Sequence, residues 1–155
     1  MLNGDGIRVS LWVSGCEHNC NQCQNPQTWN IDSGISFDEE AEKELLEALE
    51  KDYISGITFT GGDPLHENNL EDVLNIVNKI RILLPEKTIW LYTGYELPEI
   101  LKHPLRKKVT SQCDIVVDGK YVEEKRDLTL KWAGSSNQRI WKNADGKWTN
   151  ITHEI

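Results

Sequence analysis

Cys16, Cys20 and Cys23 place three thiols within the eight residues Cys16-Glu17-His18-Asn19-Cys20-Asn21-Gln22-Cys23, a C-x3-C-x2-C spacing. The remaining cysteine, Cys113, follows ninety positions later. Three thiolates on one short loop can share a single metal centre. An iron-sulfur cube is usually held by four cysteines, so a loop that offers three leaves one iron free to take another ligand. Open coordination positions mark catalytic metal sites, and closed ones mark structural sites. The competing chemistry is zinc, with His18 completing three thiolates and one imidazole. Cys16 and His18 are an awkward two residues apart for one ion, and structural zinc sites usually draw on two separated pairs. The spacing favours the iron-sulfur site and leaves a small zinc-binding interaction module as the alternative.

A second candidate is Gly61-Gly62-Asp63-Pro64. Taken by itself this is a tight turn, with Pro64 opening the next segment. Beside the cysteine loop it takes a functional reading. Missing side chains let a ligand lie against the backbone, whose carbonyls accept from an ammonium group, and Asp63 adds charge. Cys113 precedes an apolar strand and reads as a small core residue. His66, His103 and His153 have no evident partners in the sequence, and Arg106-Lys107-Lys108 reads as solvated surface.

The elements that must position these residues alternate. Ile7 to Ser14 is rich in β-branched and aromatic residues and reads as a strand that runs straight into the cysteine loop. A helix is expected from Ser36, with Glu39 at capping-box spacing and Phe37, Ala41, Leu45 and Leu49 forming one apolar stripe. Its acids from Asp38 to Glu50 form the solvated face. Gly56 to Thr60 is a second strand, and Asn69 to Leu84 a second helix that buries Leu70, Val73, Leu74, Val77, Ile80 and Leu84 and is stopped by Pro85. Thr88 to Thr93, a short helix over Leu97 to Lys102, and Asp114 to Val117 continue the alternation. Such a pattern predicts parallel strands with crossover helices. A closed eight-stranded barrel needs roughly 200–250 residues, so 155 residues predict an open partial (β/α) barrel of mainly parallel strands. Asp145-Gly146 predicts a short C-terminal hairpin. Ligands in open sheets sit beyond the carboxyl ends of the strands. The cysteine loop, the Gly61-Gly62-Asp63 turn and Thr93-Gly94 all fall on that rim.

A single domain over residues 1–155 is the expectation for this length. A formal net charge of -8 argues against nucleic acid as a partner, since phosphate binding rests on Lys and Arg. No window approaches about 18 consecutive apolar residues, which argues against a membrane span. Met1-Leu2-Asn3-Gly4-Asp5-Gly6 carries no basic stretch followed by an apolar core. Clustered cysteines without an export signal point to metal chemistry in a reducing, cytoplasmic setting.

The C-x3-C-x2-C loop after a first strand, with a Gly-Gly-acid-Pro turn after the next, resembles the radical S-adenosylmethionine superfamily. Further stretches narrow the likeness: Asn3-Gly4-Asp5-Gly6-Ile7-Arg8, Asn25-Pro26-Gln27-Thr28-Trp29, Trp90-Leu91-Tyr92-Thr93-Gly94-Tyr95, Asp118-Gly119-Lys120-Tyr121 and Trp132-Ala133-Gly134-Ser135-Ser136-Asn137-Gln138. Together they resemble the activators of anaerobic, class III ribonucleoside-triphosphate reductases, over residues 3 to 139. The resemblance implies that Cys16, Cys20 and Cys23 hold a 4Fe-4S cluster whose open iron binds S-adenosylmethionine. It implies that Gly61, Gly62 and Asp63 line the methionine part, with Thr93 on the same rim. It also implies an oxidoreductase that takes electrons from a reduced flavodoxin- or ferredoxin-type donor and leaves a glycyl radical on the reductase large subunit. An activator of a formate-lyase-type enzyme is the nearest alternative. Superfamily loops commonly carry an aromatic residue beside the last cysteine. Here Gln22 and Gln24 flank Cys23, so contact with adenine would run through backbone or amide hydrogen bonds.

Overall fold

A computed structural model describes residues 6–13, 39–127, 130 and 132–152. The elements run β1 (Arg8–Val13), α1 (Glu39–Leu49), β2 (Gly56–Gly61), α2 (Glu67–Leu83), β3 (Thr88–Tyr92), α3 (Leu97–Ile100), α4 (Pro104–Ser111), β4 (Ile115–Asp118), β5 (Arg139–Ala144) and β6 (Lys147–Asn150). They build one open, mixed six-stranded sheet in the order β1-β2-β3-β4-β5-β6. The first four strands are parallel. The last two join antiparallel as a hairpin. Its turn has positive φ at both Asp145 (52°) and Gly146 (86°), the geometry that Asp-Gly favours between twisted strands.

Side chains alternate across a strand, so the register sorts this sheet into two unlike faces. One face carries Ile57, Phe59, Ile89, Leu91 and Val116, packed against Leu45 and Leu49 of α1 and Leu70, Val73, Ile76, Val77 and Ile80 of α2. Cys113 is buried in the same core, as its position before an apolar strand predicts. Burial without a compensating charge pushes its thiol up to about 12, so it stays protonated and inert. The other face lines up Ser10, Thr58, Trp90 and Ile115 across four strands. There a second cluster forms: Trp90, Ile115, Val117 and Ile140 pack on Trp132 and Ala133. The Trp90 and Trp132 rings meet edge to face with centroids 4.8 Å apart.

Arg8 fixes the start of the parallel register. Its Nε donates to Thr58 Oγ1 at 2.9 Å and its Nη1 to Thr88 Oγ1 at 2.7 Å. Its Nη2 donates to the carbonyls of Ile57 and Thr88, both at 2.8 Å. The guanidinium also lies 5.5 Å from the Trp90 ring centroid. One side chain thus ties three strands together at their amino ends.

Three local expectations are corrected. Helix α2 begins at Glu67, two residues before the first predicted position, because His66 caps it: Nδ1 accepts from Asn68 N at 3.2 Å. Ser-, Thr-, Asp- and Asn-based start signals do not include histidine, so the cap was invisible. The predicted helix over Leu97 to Lys102 ends at Ile100, and a separate helix, α4, follows from Pro104. His103 caps that one, accepting from Arg106 N at 3.4 Å, and Pro104 supplies the preset first-turn φ. The predicted start of the first helix at Ser36 lies outside the described residues, as does His153. The acidic residues Glu44, Glu47 and Glu50 are exposed, as expected of a solvated face.

Phe59 is fully buried at the centre of the helix-covered face. Replacing it by Ala should lower the free energy of unfolding by about 3–5 kcal/mol. Urea denaturation followed by circular dichroism measures this, and a loss under about 1 kcal/mol would show that the two layers are not packed through this ring.

Candidate functional site

The parallel strands deliver their carboxyl ends to one rim. β1 and β2 stay in register up to the pair Val13 and Gly61. There Gly62 N donates to the Val13 carbonyl at 2.8 Å. Gly61 has φ +96°, and a Cβ on it would lie 2.7 Å from Val13 O and 2.9 Å from Val13 N. No side chain fits, and an L-residue resists that backbone conformation. The chain leaving β1 at Val13 therefore departs directly beside the Gly61-Gly62 turn. Cys16, Cys20, Gln22, Cys23 and Gln24 follow it and lie outside the described residues.

Gly61, Gly62, Asp63 and Thr93 are brought together. Asp63 is buried, with 1% of its surface exposed, and its carboxylate is engaged by the protein on both oxygens. Oδ1 accepts from Leu65 N at 2.9 Å and from Thr93 Oγ1 at 2.8 Å; Oδ2 accepts from Gly94 N at 3.0 Å. Its carbonyl accepts from His66 N at 3.0 Å and Asn69 Nδ2 at 2.9 Å. Thr93 is buried as well, its N–H bonded to the Val117 carbonyl at 3.0 Å. The turn after β2 is thus welded to the turn after β3.

Sequence reasoning missed a third rim residue, Asp118 at the end of β4. It is fully buried. Oδ2 accepts from Leu97 N at 2.7 Å, while Oδ1 has only Arg139 Nε at 3.8 Å as an ionic neighbour. Burial raises its pKa above the ordinary aspartate value; the Leu97 N–H, Arg139 and the Trp141 indole oppose that rise, and Glu96 adds to it. Arg106, expected as surface, is drawn inward. Its guanidinium stacks 3.9 Å from the Tyr95 ring centroid and donates to Leu65 O at 2.9 Å.

Two of the stretches that carried the sequence resemblance form a single clasp. Gln138 Oε1 accepts from Gly134 N at 2.8 Å and Ser135 N at 3.1 Å, and its Nε2 donates to Gly119 O at 3.0 Å. Asn137 Nδ2 donates to Lys120 O at 2.8 Å, and Ser135 Oγ accepts from Val122 N at 3.2 Å. A Cβ on Gly134 would sit 3.1 Å from the Tyr121 ring, which accounts for the glycine. The clasp holds Trp132 and Ala133 over Trp90 and so closes the second core.

Comparison with known proteins joins this geometry to a chemistry. A family model described as a 4Fe-4S single cluster domain matches residues 2–141. The anaerobic ribonucleoside-triphosphate reductase-activating protein of Enterobacteria phage T4 is 47% identical over 148 residues, which cover 95% of this chain and 91% of that protein. The proteins of the same name from Pasteurella multocida and Escherichia coli K12 are 40% and 41% identical, covering 92% and 90% of this chain and 91% of each relative. The chain belongs to this activating-protein family. It carries the family's 4Fe-4S single cluster domain, and the match includes the cysteine loop and the whole rim. No solved structure matches the chain. Among the described residues no His, Cys, Asp or Glu group is placed to hold a metal ion, and no helix is long and apolar enough to cross a membrane.

Asp118 generates a pH-dependent prediction. Its folded-state pKa is raised, so the folded protein binds that proton more tightly than the unfolded chain. Ionised Asp118 therefore opposes folding at neutral pH, and the penalty fades as pH falls through the raised value toward about 3.9, the unfolded one. The stability of Asp118→Asn relative to the native protein should then rise with pH across this window. Denaturant titrations from acid to neutral pH read the trend, and a difference flat with pH would remove Asp118 as its source.

Proposed function

We propose that this chain is an iron-sulfur activase that uses S-adenosylmethionine to install a glycyl radical on an anaerobic ribonucleoside-triphosphate reductase. The observation that carries the reading is the seam at Val13 and Gly61, which sends the three-cysteine run off the sheet beside the glycine turn. The donor set fits the cofactor: three soft thiolates suit iron-sulfur ligation, and they leave one iron for a substrate. Cys16, Cys20 and Cys23 would hold the cluster. When bound and reduced, the cluster supplies the electron that cleaves S-adenosylmethionine to methionine and a 5′-deoxyadenosyl radical, which abstracts hydrogen from a glycine of the reductase.

The chain's own residues bind and orient. Gly61 and Gly62 leave their carbonyls open to a ligand's ammonium, with Asp63 and Thr93 holding that turn in place. Gln22 and Gln24, flanking Cys23, offer amide hydrogen bonds to adenine. The sheet serves as an open partial barrel around the ligand, in a single domain over residues 1–155. A reduced flavodoxin- or ferredoxin-type protein in the cytoplasm supplies electrons, and neither nucleic acid nor a membrane takes part.

Anaerobic reconstitution with iron and sulfide should give a brown protein that cleaves S-adenosylmethionine when reduced. With the reductase present, electron paramagnetic resonance should show a glycyl radical. Cys20→Ala should reduce cluster content and cleavage to background together. A colourless protein carrying one zinc, or a radical raised on a formate-lyase-type partner instead, would overturn the assignment.

A further inference from the structure

We propose that the loop from Thr93 to Leu97 is a preformed wall of the S-adenosylmethionine site, and that Asp63 and Asp118 are positioning residues clamping its two ends. The inference rests on the function proposed above and deepens it. At the entry to the loop, Asp63 accepts from Thr93 Oγ1 at 2.8 Å and from Gly94 N at 3.0 Å. At the exit, Asp118 accepts from Leu97 N at 2.7 Å. Between them Tyr95 is buried, its N–H bonded to Thr93 Oγ1 at 3.2 Å. The Tyr95 ring lies against Arg106, whose Nε donates to Leu65 O at 2.9 Å and so returns to the turn after β2. The loop is therefore tied to the Gly61-Gly62-Asp63 turn by two independent routes and to β4 by a third.

This arrangement changes the role of Asp63. An ionised carboxylate offers about four acceptor sites, and three donors of this protein already occupy them. Buried to 1% exposure, the side chain faces its own fold. It acts on a ligand through the backbone it holds, presenting the Gly61 and Gly62 carbonyls and the Thr93-Gly94 turn in one fixed relation. Hydrogen bonds to an ionised acceptor are about twice as strong as neutral ones, and rigid presentation avoids ordering the loop on binding.

Thr93→Val, Thr93→Ser, Asp63→Asn and their combinations test the clamp in the cluster-loaded protein. Two readouts are independent: hydrogen exchange of the Gly94 and Tyr95 amides, and the dissociation constant for S-adenosylmethionine by equilibrium dialysis. Thr93→Val and Asp63→Asn should each speed Gly94 exchange and weaken binding by roughly tenfold. Thr93→Ser, which keeps the hydroxyl, should match the native protein in both. The Asp63→Asn/Thr93→Val double variant should be no worse than the worse single one, since both break one contact. Additive losses, or native binding in Thr93→Val while Asp63→Asn loses it, would make Asp63 a direct ligand and overturn the proposal. Faster exchange with unchanged binding would equally overturn the loop as a wall. Native protein that takes up the cluster yet binds no S-adenosylmethionine sinks the proposed function itself, and it does so before any variant is made.

Discussion

The close approach of β1 and β2 at Val13 and Gly61 is the constraint on which the rim depends. Six residue pairs run in parallel register from Arg8 and Gly56 to Val13 and Gly61. The two ends are fixed by opposite means. At the start a guanidinium reaches across three strands. At the finish the removal of a side chain lets one backbone lie on another. A parallel sheet puts every strand's exit on the same side, so fixing this one pair also fixes where the turns after β3 and β4 emerge. A register slip of one residue would turn Leu11 and Phe59 out of the helix-covered core, which is why the hydrophobic pattern and the rim geometry enforce each other.

Purely parallel sheets are usually covered by helices on both faces and read as continuous apolar runs. This sheet is not uniform in that way. Its helix side is wholly aliphatic and aromatic, but across β1 to β3 the other side sets Arg8, Ser10, Thr58, Thr60 and Thr88 around Trp90 and Tyr92. Thr58 and Thr60 are buried nonetheless. Toward β4 and β5 that face becomes apolar, where the Trp132 clasp covers it. A face that changes from polar to apolar across its width is suited to a ligand with both characters. The antiparallel hairpin adds Ile140 to the apolar half and extends the sheet without adding to the rim.

Much of this was legible in the residues. Periodicity and punctuation identified β1 to β4, α1, α2 and the hairpin, because each has an apolar pattern bounded by Gly or Pro. Gly61, Gly62, Asp63 and Thr93 were legible as rim residues because each follows a strand directly. Helix α4 was not, since Arg106-Lys107-Lys108 looks like solvated surface until Arg106 is seen folded onto Tyr95. The two histidine caps were hidden because a histidine bonds a helix start only through one particular ring orientation. Asp118 was quoted as part of a motif, but its burial depends on Leu97, twenty-one residues earlier, and no local pattern records that contact.

The two buried aspartates show why an acid, not an amide, belongs at these joints. A chain of net charge -8 has exposed positions enough for its acids, yet it places two of them in the interior of its rim. Burial of a carboxylate is unfavourable unless its oxygens are met by donors. Asp63 meets that condition with three donors from both sides of its carboxylate, a demand that asparagine cannot satisfy because one of its two ends donates. Asp118 meets it on one oxygen only, with Arg139 too distant to complete the other, and its raised pKa is the physical trace of that shortfall. The better-satisfied joint is the one beside the glycine turn, where displacement of the backbone would matter most to a bound ligand.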